Sequence, residues 1–393
     1  MGWEFVKLGA LVHRKIGYGI VQPGASVDVG VPVIKVNNII SGLSNIELLE
    51  KTTTDIDARY TRTRLVGGEL VISLVGSVGK TAIVPKTFAG CNLVRATGLI
   101  DIKDEILAKW VKYYIDSPQG QAYINSNVNT TVQVTLNIKS LSDMPIPLPD
   151  HAIREKIVAI LSSIDDKIEL NRRINANLEQ QAQALYKSWF VDFEPFGGKM
   201  PEDWREGRLG EICTCYLGGT PSRTKSEYWS GNIPWINSGE VNKFRIIEGS
   251  EYITELGLKK SATKLLPKKT TVLAITGATL GQVSLLEIDS CANQSVIGIL
   301  ENKCIPYEFI YPLIKNDIDK IIRHQTGGAQ QHINKNNIES HSVIIPDTKT
   351  MEQYKAIQAP VYNLIANKCF ENLRLAQLRD TLLPKLMSGE IKA

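Results

Sequence analysis

Between Asp150 and Pro195 the chain runs without a glycine or a proline, and its apolar residues recur by sevens. Ile157, Ile164, Leu178 and Leu185 hold one position, with polar Asn171 in the same phase, while Ile160 and Ile174 hold a second apolar position. The pattern predicts an amphipathic helix of about 38 residues, or about 57 Å at about 1.5 Å per residue, whose stripe needs a partner helix. A candidate partner lies 197 residues further on. Val361, Leu375 and Leu382 take the first phase, Ile357, Leu364 and Leu378 the second, and Lys368 stands where the first helix has Asn171. Matching polar interruptions are a device for setting register. Antiparallel pairing of the two helices is one reading; two separate surface helices, each packed on its own domain, is the other.

Outside these stretches the period changes. Residues 1 to about 150 alternate short β-branched runs (Val31 to Val36, Leu70 to Val75, Thr81 to Val84) with Gly, Pro and Asn turns, and a helical stretch falls around Leu107 to Ile115. This is the texture of a mixed α/β domain. It ends in the punctuation Pro145, Pro147, Pro149. Pro195, Gly197 and Gly198 close the first long helix, and a second α/β stretch runs from about 200 to 347.

The two stretches say similar things. Gly30-Val-Pro32-Val-Ile34-Lys-Val-Asn37 is answered by Gly231-Asn-Ile-Pro234-Trp-Ile236-Asn237, and Val75-Gly76-Ser-Val-Gly79-Lys by Thr276-Gly277-Ala-Thr-Leu-Gly281-Gln. Val132-Gln133 through Asn137 to Pro149-Asp150 is answered by Ala329-Gln330 through Asn334 to Pro346-Asp347. A period near 200 is far too long for a solenoid and denotes two whole domains of one kind. The expected architecture is a duplicated α/β (α+β) fold: domain 1–150, long helix 151–196, domain 197–347, long helix 348–393. Two similar modules suit a ligand with two similar halves, and bipartite DNA leads the candidates.

Composition narrows this modestly. The formal charge of +4 and pI near 8.5 permit nucleic acid without announcing it. Basic residues cluster at Arg59, Arg62 and Arg64 and at Lys259, Lys260, Lys264, Lys268 and Lys269, each cluster being either a phosphate contact or a solvated face. The six cysteines are scattered, and Cys213-x-Cys215 without a second pair is poor zinc spacing. No run of about 18 apolar residues or signal peptide is visible, so a cytosolic protein with reduced thiols is expected.

Catalytic signatures fail on inspection. Gly76-Ser-Val-Gly79-Lys80-Thr81 resembles a phosphate-binding loop, but Leu74 occupies the place of its first glycine and the second copy has Gln282 for the lysine. A glycine turn between strands is the better account. Pro149-Asp150 with Glu155-Lys156 lacks the strand alternation of a nuclease carboxylate set. There is no Pro-Pro dipeptide, which an amino-methyltransferase loop needs, no dinucleotide fingerprint, and no ligand pattern among the five histidines. These gaps favour a binding protein.

Polar loops fit that role. In the first domain they hold Lys35, Asn37, Asn38, Asn129, Thr130 and Gln133; in the second, Thr220, Ser222, Arg223, Lys225, Asn237, Lys243, Arg245, Gln330, Gln331, His332 and Asn334. With Arg59, Arg62 and Arg64 they are the candidate DNA contacts. Arg suits guanine edges and Asn or Gln adenine edges, while Ser, Thr and Lys suit phosphates. Ordinary turn chemistry explains the same residues without DNA. The loops differ between halves while the frameworks match, as expected if each half reads a different sequence.

The run Gln183-Ala-Leu185-Tyr186-Lys-Ser-Trp189-Phe190-Val-Asp-Phe193-Glu-Pro195 resembles the central region of type I restriction–modification specificity subunits. So do Leu378-Arg379-Asp380 through Leu386-Met387-Ser-Gly389-Glu-Ile391, and Gly218-Gly-Thr220-Pro221 followed by Tyr228-Trp229 and Pro234-Trp235. The likeness spans the whole chain and is looser in the first domain, where Gly17-Tyr18-Gly19 and Val33 replace Gly-Gly-Thr-Pro and Trp235. It implies two target-recognition domains on double-stranded DNA with a bipartite target. The helices would form an antiparallel coiled coil that sets the spacer and docks two methyltransferase subunits, which motor-nuclease subunits then join. The chain would be non-catalytic and hold no cofactor or metal; S-adenosylmethionine, ATP and Mg would sit on partner subunits. The alternatives are a stand-alone enzyme acting on DNA and a coiled-coil scaffold without nucleic acid.

Overall fold

The computed structural model describes residues 3–43, 45–129, 133–323 and 332–391. Leu70–Ser73, with every side chain buried, is the kind of run that must lie inside a sheet. It sits between Thr97–Asp101 and Thr81–Ile83, with Arg14–Tyr18 on the far side of Thr97–Asp101, all antiparallel. Thr271–Ala274, equally buried, lies between Val296–Leu300 and Val283–Leu285, with Thr214–Leu217 outermost. The strand order is the same in both domains.

A three-stranded sheet accompanies each. Val31–Ile34 is antiparallel to Lys51–Thr52 and parallel to Asn92–Leu93; Trp229–Ile236 is likewise antiparallel to Glu251–Ile253 and parallel to Cys291–Ala292. A two-stranded ladder closes each domain's ends, Glu4–Lys7 on Pro145–Leu148 and Arg205–Arg208 on Ser342–Ile345. One helix backs each larger sheet. In Glu105–Asp116 the buried Trp110 donates its indole N–H to the Pro147 carbonyl at 2.8 Å; in the second domain the helix is Tyr307–Ile322. Gly76 and Gly79 (φ 77° and 83°), like Gly277 and Gly281 (φ 63° and 86°), turn the chain between two strands in a left-handed conformation. Backbone geometry alone accounts for glycine there, without a bound phosphate.

The long helices span His151–Phe190 and Thr348–Ser388. The chain divides into two compact units, Met1–Asp166 with Leu375–Ala393, and Lys167–Arg374. Each holds one α/β domain and a stretch of both helices. In the first unit Ile157, Val158 and Leu161 share a core with Leu383, Leu386 and Met387, and Arg379 pairs with Asp165 at 2.9 Å. In the second, Asn171 donates to Glu371 (3.0 Å) and Asn372 (2.9 Å), and Gln358 donates to the Ala182 carbonyl. Within each unit the partner number falls as the first helix advances, so the pairing is antiparallel.

The buried stripe is not the one the heptads suggest. On the first helix it runs Ile157, Leu161, Ile164, Ile168, Asn171, Asn175, Glu179, Ala182, Tyr186, Phe190, so the first phase holds as far as Asn171 and gives way at Leu178 and Leu185, while the second lies one residue later. Ile160 is 39% exposed. On the second helix Met351, Tyr354, Gln358, Tyr362 and Ile365 face inward, whereas Ile357, Leu364 and Leu378 are 42–49% exposed. Steps of three and four alternate along any such stripe, and aliphatic residues on the outer face make two phases look alike. Asn171 is opposed by Glu371 and Asn372, not by Lys368, which turns to Glu371 at 3.0 Å.

The two longest runs that carry the family resemblance are the helix ends that enter the domains. Phe190 packs edge-on against Phe309 and Tyr354, both at 4.8 Å, with Trp204 at 5.5 Å. Leu383, Leu386 and Met387 enter the first domain's core, which Trp3 and Trp110 share. Each domain is therefore plugged by the start of one long helix and the end of the other.

Asn171 is fully buried and hydrogen-bonded across the seam. Asn171→Ala should lower stability by about 1–3 kcal/mol, since its polar partners lose their donor. Denaturant unfolding of the full chain measures this, and an unchanged midpoint would remove Asn171 from the seam's energetics.

Candidate nucleic-acid interface

The short helix Val36–Ser41 starts where the central strand Val31–Ile34 of the smaller sheet ends. Lys35 is its N-cap and pairs with Glu50 at 2.5 Å; the Asn38 side chain accepts from the Lys35 backbone N–H, and Asn37 is exposed. The second domain repeats the device. Asn237 caps Ser238–Asn242 by accepting from the Gly239 N–H, and Lys243 pairs with Glu240 at 3.1 Å.

Arg59 and Arg62 are exposed, while Arg64 is tied through Nε and Nη2 to the buried Asp57, which Asn92 also holds. Arg64 thus brings less free charge to the surface than its neighbours do. Asn129 pairs with Thr135 in a two-residue ladder, and Gln133 is exposed just before it. Thr130, Gln330 and Gln331 lie outside the described residues. His332 bridges to Thr276, and Asn334 caps Lys335–Glu339. Of the lysine cluster, Lys259, Lys260, Lys264 and Lys268 are exposed, whereas Lys269 turns inward to Glu287 at 2.5 Å.

The richest arrangement follows the Gly218-Gly219 turn. Thr220 donates to Gln294 at 2.6 Å, Ser222 contacts Thr224, and Lys225 reaches the Tyr228 hydroxyl at 3.1 Å. The Arg223 Cζ carbon lies over Trp229, 3.7 Å from the ring centre, with Trp235 at 5.1 Å. Its Nη1 and Nη2 donate to the two carboxylate oxygens of Glu251 at 2.5 and 2.7 Å. The hydrogen bond from Arg223 holds the Glu251 carboxyl below its usual range, and the same bond raises Arg223. The pair is ionised at neutral pH. Trp229, Trp235 and Glu251 were not among the sequence candidates. The Trp-x5-Trp spacing was visible, but the bulge between Trp229 and Ile233 that brings both indoles under one guanidinium was not.

Arg245 is not the exposed loop cation that its sequence context suggests. It is 4% exposed, donates to Glu179 at 2.6 Å and to the Tyr311 hydroxyl at 3.0 Å, and faces Glu287 at 3.6 Å. Burial works against ionising Glu179, yet Arg245 and Lys315 outweigh it and lower that carboxyl, while burial keeps Glu287 raised. Arg245 clamps the second domain to its stretch of long helix and cannot reach a base edge. Arg245→Ala should cost about 3–5 kcal/mol by stranding buried charge, with the recognised sequence unchanged in the folded protein. Unfolding of the full-chain variant at wild-type stability would contradict this placement.

Chemically, the exposed groups amount to guanidinium, amide, hydroxyl and ammonium donors on short capped turns, a set suited to reading and holding a polyanion. Among the described residues no cluster of three or more metal-ligating side chains forms, and no helix is long and apolar enough to cross a membrane.

The family described as "Type I restriction modification DNA specificity domain" matches residues 1–180 and again residues 201–371. The specificity subunit of the type I restriction enzyme MjaIX of Methanocaldococcus jannaschii is 26% identical over 305 residues, 74% of this chain and 70% of that protein. The specificity subunit of HindI of Haemophilus influenzae is 26% identical over 336 residues, 68% of this chain and 72% of that one. Among solved structures, the S subunit of a type I restriction–modification system from M. genitalium aligns over 98% of this chain and 96% of its own, with a TM-score of 0.55 at 17% identity. At that identity the likeness is one of fold.

Proposed function

The chain belongs to the type I restriction–modification specificity subunits, and from that premise we propose that each α/β domain reads one half of a bipartite double-stranded DNA target. The observation that carries this is the pair of frameworks with identical strand order and unlike loops. A common framework presents the same turns, and the side chains on those turns decide which base edges are matched. The first domain offers Lys35, Asn37, Asn38, Arg59, Arg62, Asn129 and Gln133. The second offers Thr220, Ser222, Arg223, Lys225, Asn237, Lys243 and Asn334. Thr130, Gln330 and Gln331, outside the described residues, and His332 remain candidates by sequence.

The antiparallel helices act as the spacer between the half-sites. Their outer faces also dock two methyltransferase subunits: Ile357 and Leu364 in one unit, and Ile160 and Leu378 in the other, are apolar groups left outside the seam. Motor-nuclease subunits join that assembly. The chemistry then belongs to the partners, with S-adenosylmethionine for methylation and ATP and Mg for restriction. This chain contributes sequence selection.

Exchanging residues 1–150 for the corresponding domain of another family member should change one half of the methylated motif and leave the other intact. Sequencing of methylated bases in cells carrying the chimera and the methyltransferase reads this out. A change in both halves would rule out modular reading.

A further inference from the structure

In the second domain Pro234 stands opposite Tyr252 and Trp235 opposite Glu251. In the first, Pro32 stands opposite Lys51, and the next residue, Val33, donates its backbone N–H to the Glu50 carbonyl. Glu251 and Glu50 therefore occupy the same place in the two frameworks. Each holds a basic candidate for DNA contact: Glu251 takes Arg223, and Glu50 takes Lys35 at 2.5 Å. The cations come from different loops, so the carboxylate is the shared part. Resting on the reading of these domains as DNA-binding, we propose that the carboxylate at this framework position is a positioning residue for base readout, aiming the cation at a base edge and withholding it from phosphates.

A guanidinium has two donor edges, each able to fork onto a pair of acceptors. Glu251 takes the end-on edge of Arg223 through Nη1 and Nη2. The two-point pairing with Glu251 and the close approach to the Trp229 ring together restrain the guanidinium, and the indoles are anchored in turn, Trp229 donating to the Ser222 carbonyl and Trp235 to the Gly219 carbonyl, both at 3.1 Å. The Nε–H on the remaining edge has no partner among the described residues. An edge restrained in this way suits the paired acceptors O6 and N7 of guanine. The pair is exposed, Arg223 by 52% and Glu251 by 38%, so a ligand can reach it. The carboxylate also repels a phosphate that approaches without the right base. Discrimination then comes from a repulsive element as much as from an attractive one.

The test uses the full chain in complex with its methyltransferase subunits, binding a duplex with the methylated motif and a scrambled duplex over a salt series. Glu251→Gln keeps the side-chain volume and removes the charge. It should raise affinity for the scrambled duplex, steepen its log–log salt slope by about 1 as Arg223 is freed for a phosphate, and cut the specific-to-scrambled ratio about tenfold. The position of the motif that becomes degenerate should be the one that Arg223→Ala relaxes. Glu50→Gln should do the same in the other half-site only, an independent arm should the first variant fold poorly. A merely structural role would weaken both duplexes without steepening the slope. Unchanged ratio and slope in Glu251→Gln, with Arg223→Ala relaxing the motif, would overturn the positioning role. A wild-type complex with no preference between the duplexes would instead overturn the DNA-recognition reading itself.

Discussion

The antiparallel seam between helices of 40 and 41 residues is the constraint on which the rest depends. A helix of this length cannot bury its stripe alone, and packing supplies most helical stability in proteins. Here the stripe is covered by the other helix and, at the ends, by the domains. Phe190, Tyr354 and Trp204 close one core, and Leu386, Met387 and Trp110 close another. Each domain needs both helices to complete its interior, so neither helix end is free to move without opening a hydrophobic core. Buried polar groups at Asn171, Asn175 and Gln358 make a sliding register costly, because each would leave its partner behind.

On that base the duplicated domains separate framework from selection. Strands such as Leu70–Ser73 and Thr271–Ala274 are buried along their whole length, whereas the capped turns that follow the smaller sheets bury some residues (Ile39 in one, Glu240 and Val241 in the other) and leave others, such as Asn37 and Lys243, exposed. Sequence at the exposed positions of those turns can change without disturbing a core. Ion pairs such as Arg223–Glu251 restrict which rotamers the exposed cations adopt. A contact surface built this way starts partly ordered, which lowers the entropic cost of binding.

Much of this was legible in the sequence. The internal repeat, the helix spans and the glycine turns follow from patterning and backbone chemistry, because period and punctuation are local properties. What patterning missed was tertiary. The seam's second phase lies one residue from the apparent one, since Ile160, Ile357, Leu364 and Leu378 imitate buried positions while facing outward. Arg245 read as a loop cation, but its charge is answered by Glu179 and Glu287, far away in sequence. Arg64 is likewise answered by buried Asp57. Glu179 lies too far from Arg245 to leave a local trace, whereas Asp57 and Trp229 lie close in sequence to Arg64 and Arg223 and only the folded turns bring their side chains together.

The central claim is that paired helical length sets the separation of the two half-sites. It is tested most directly by inserting four residues after Asp166 and four after Arg374, so that both helices lengthen by about one turn and the seam keeps its facing. At about 1.5 Å per residue this adds about 6 Å, close to two base pairs at about 3.4 Å each. Genome-wide mapping of methylated bases should then show both half-sites unchanged and their spacer longer by one or two base pairs. A methylating variant that retains the original spacer would contradict the account and leave the helices as a docking platform alone.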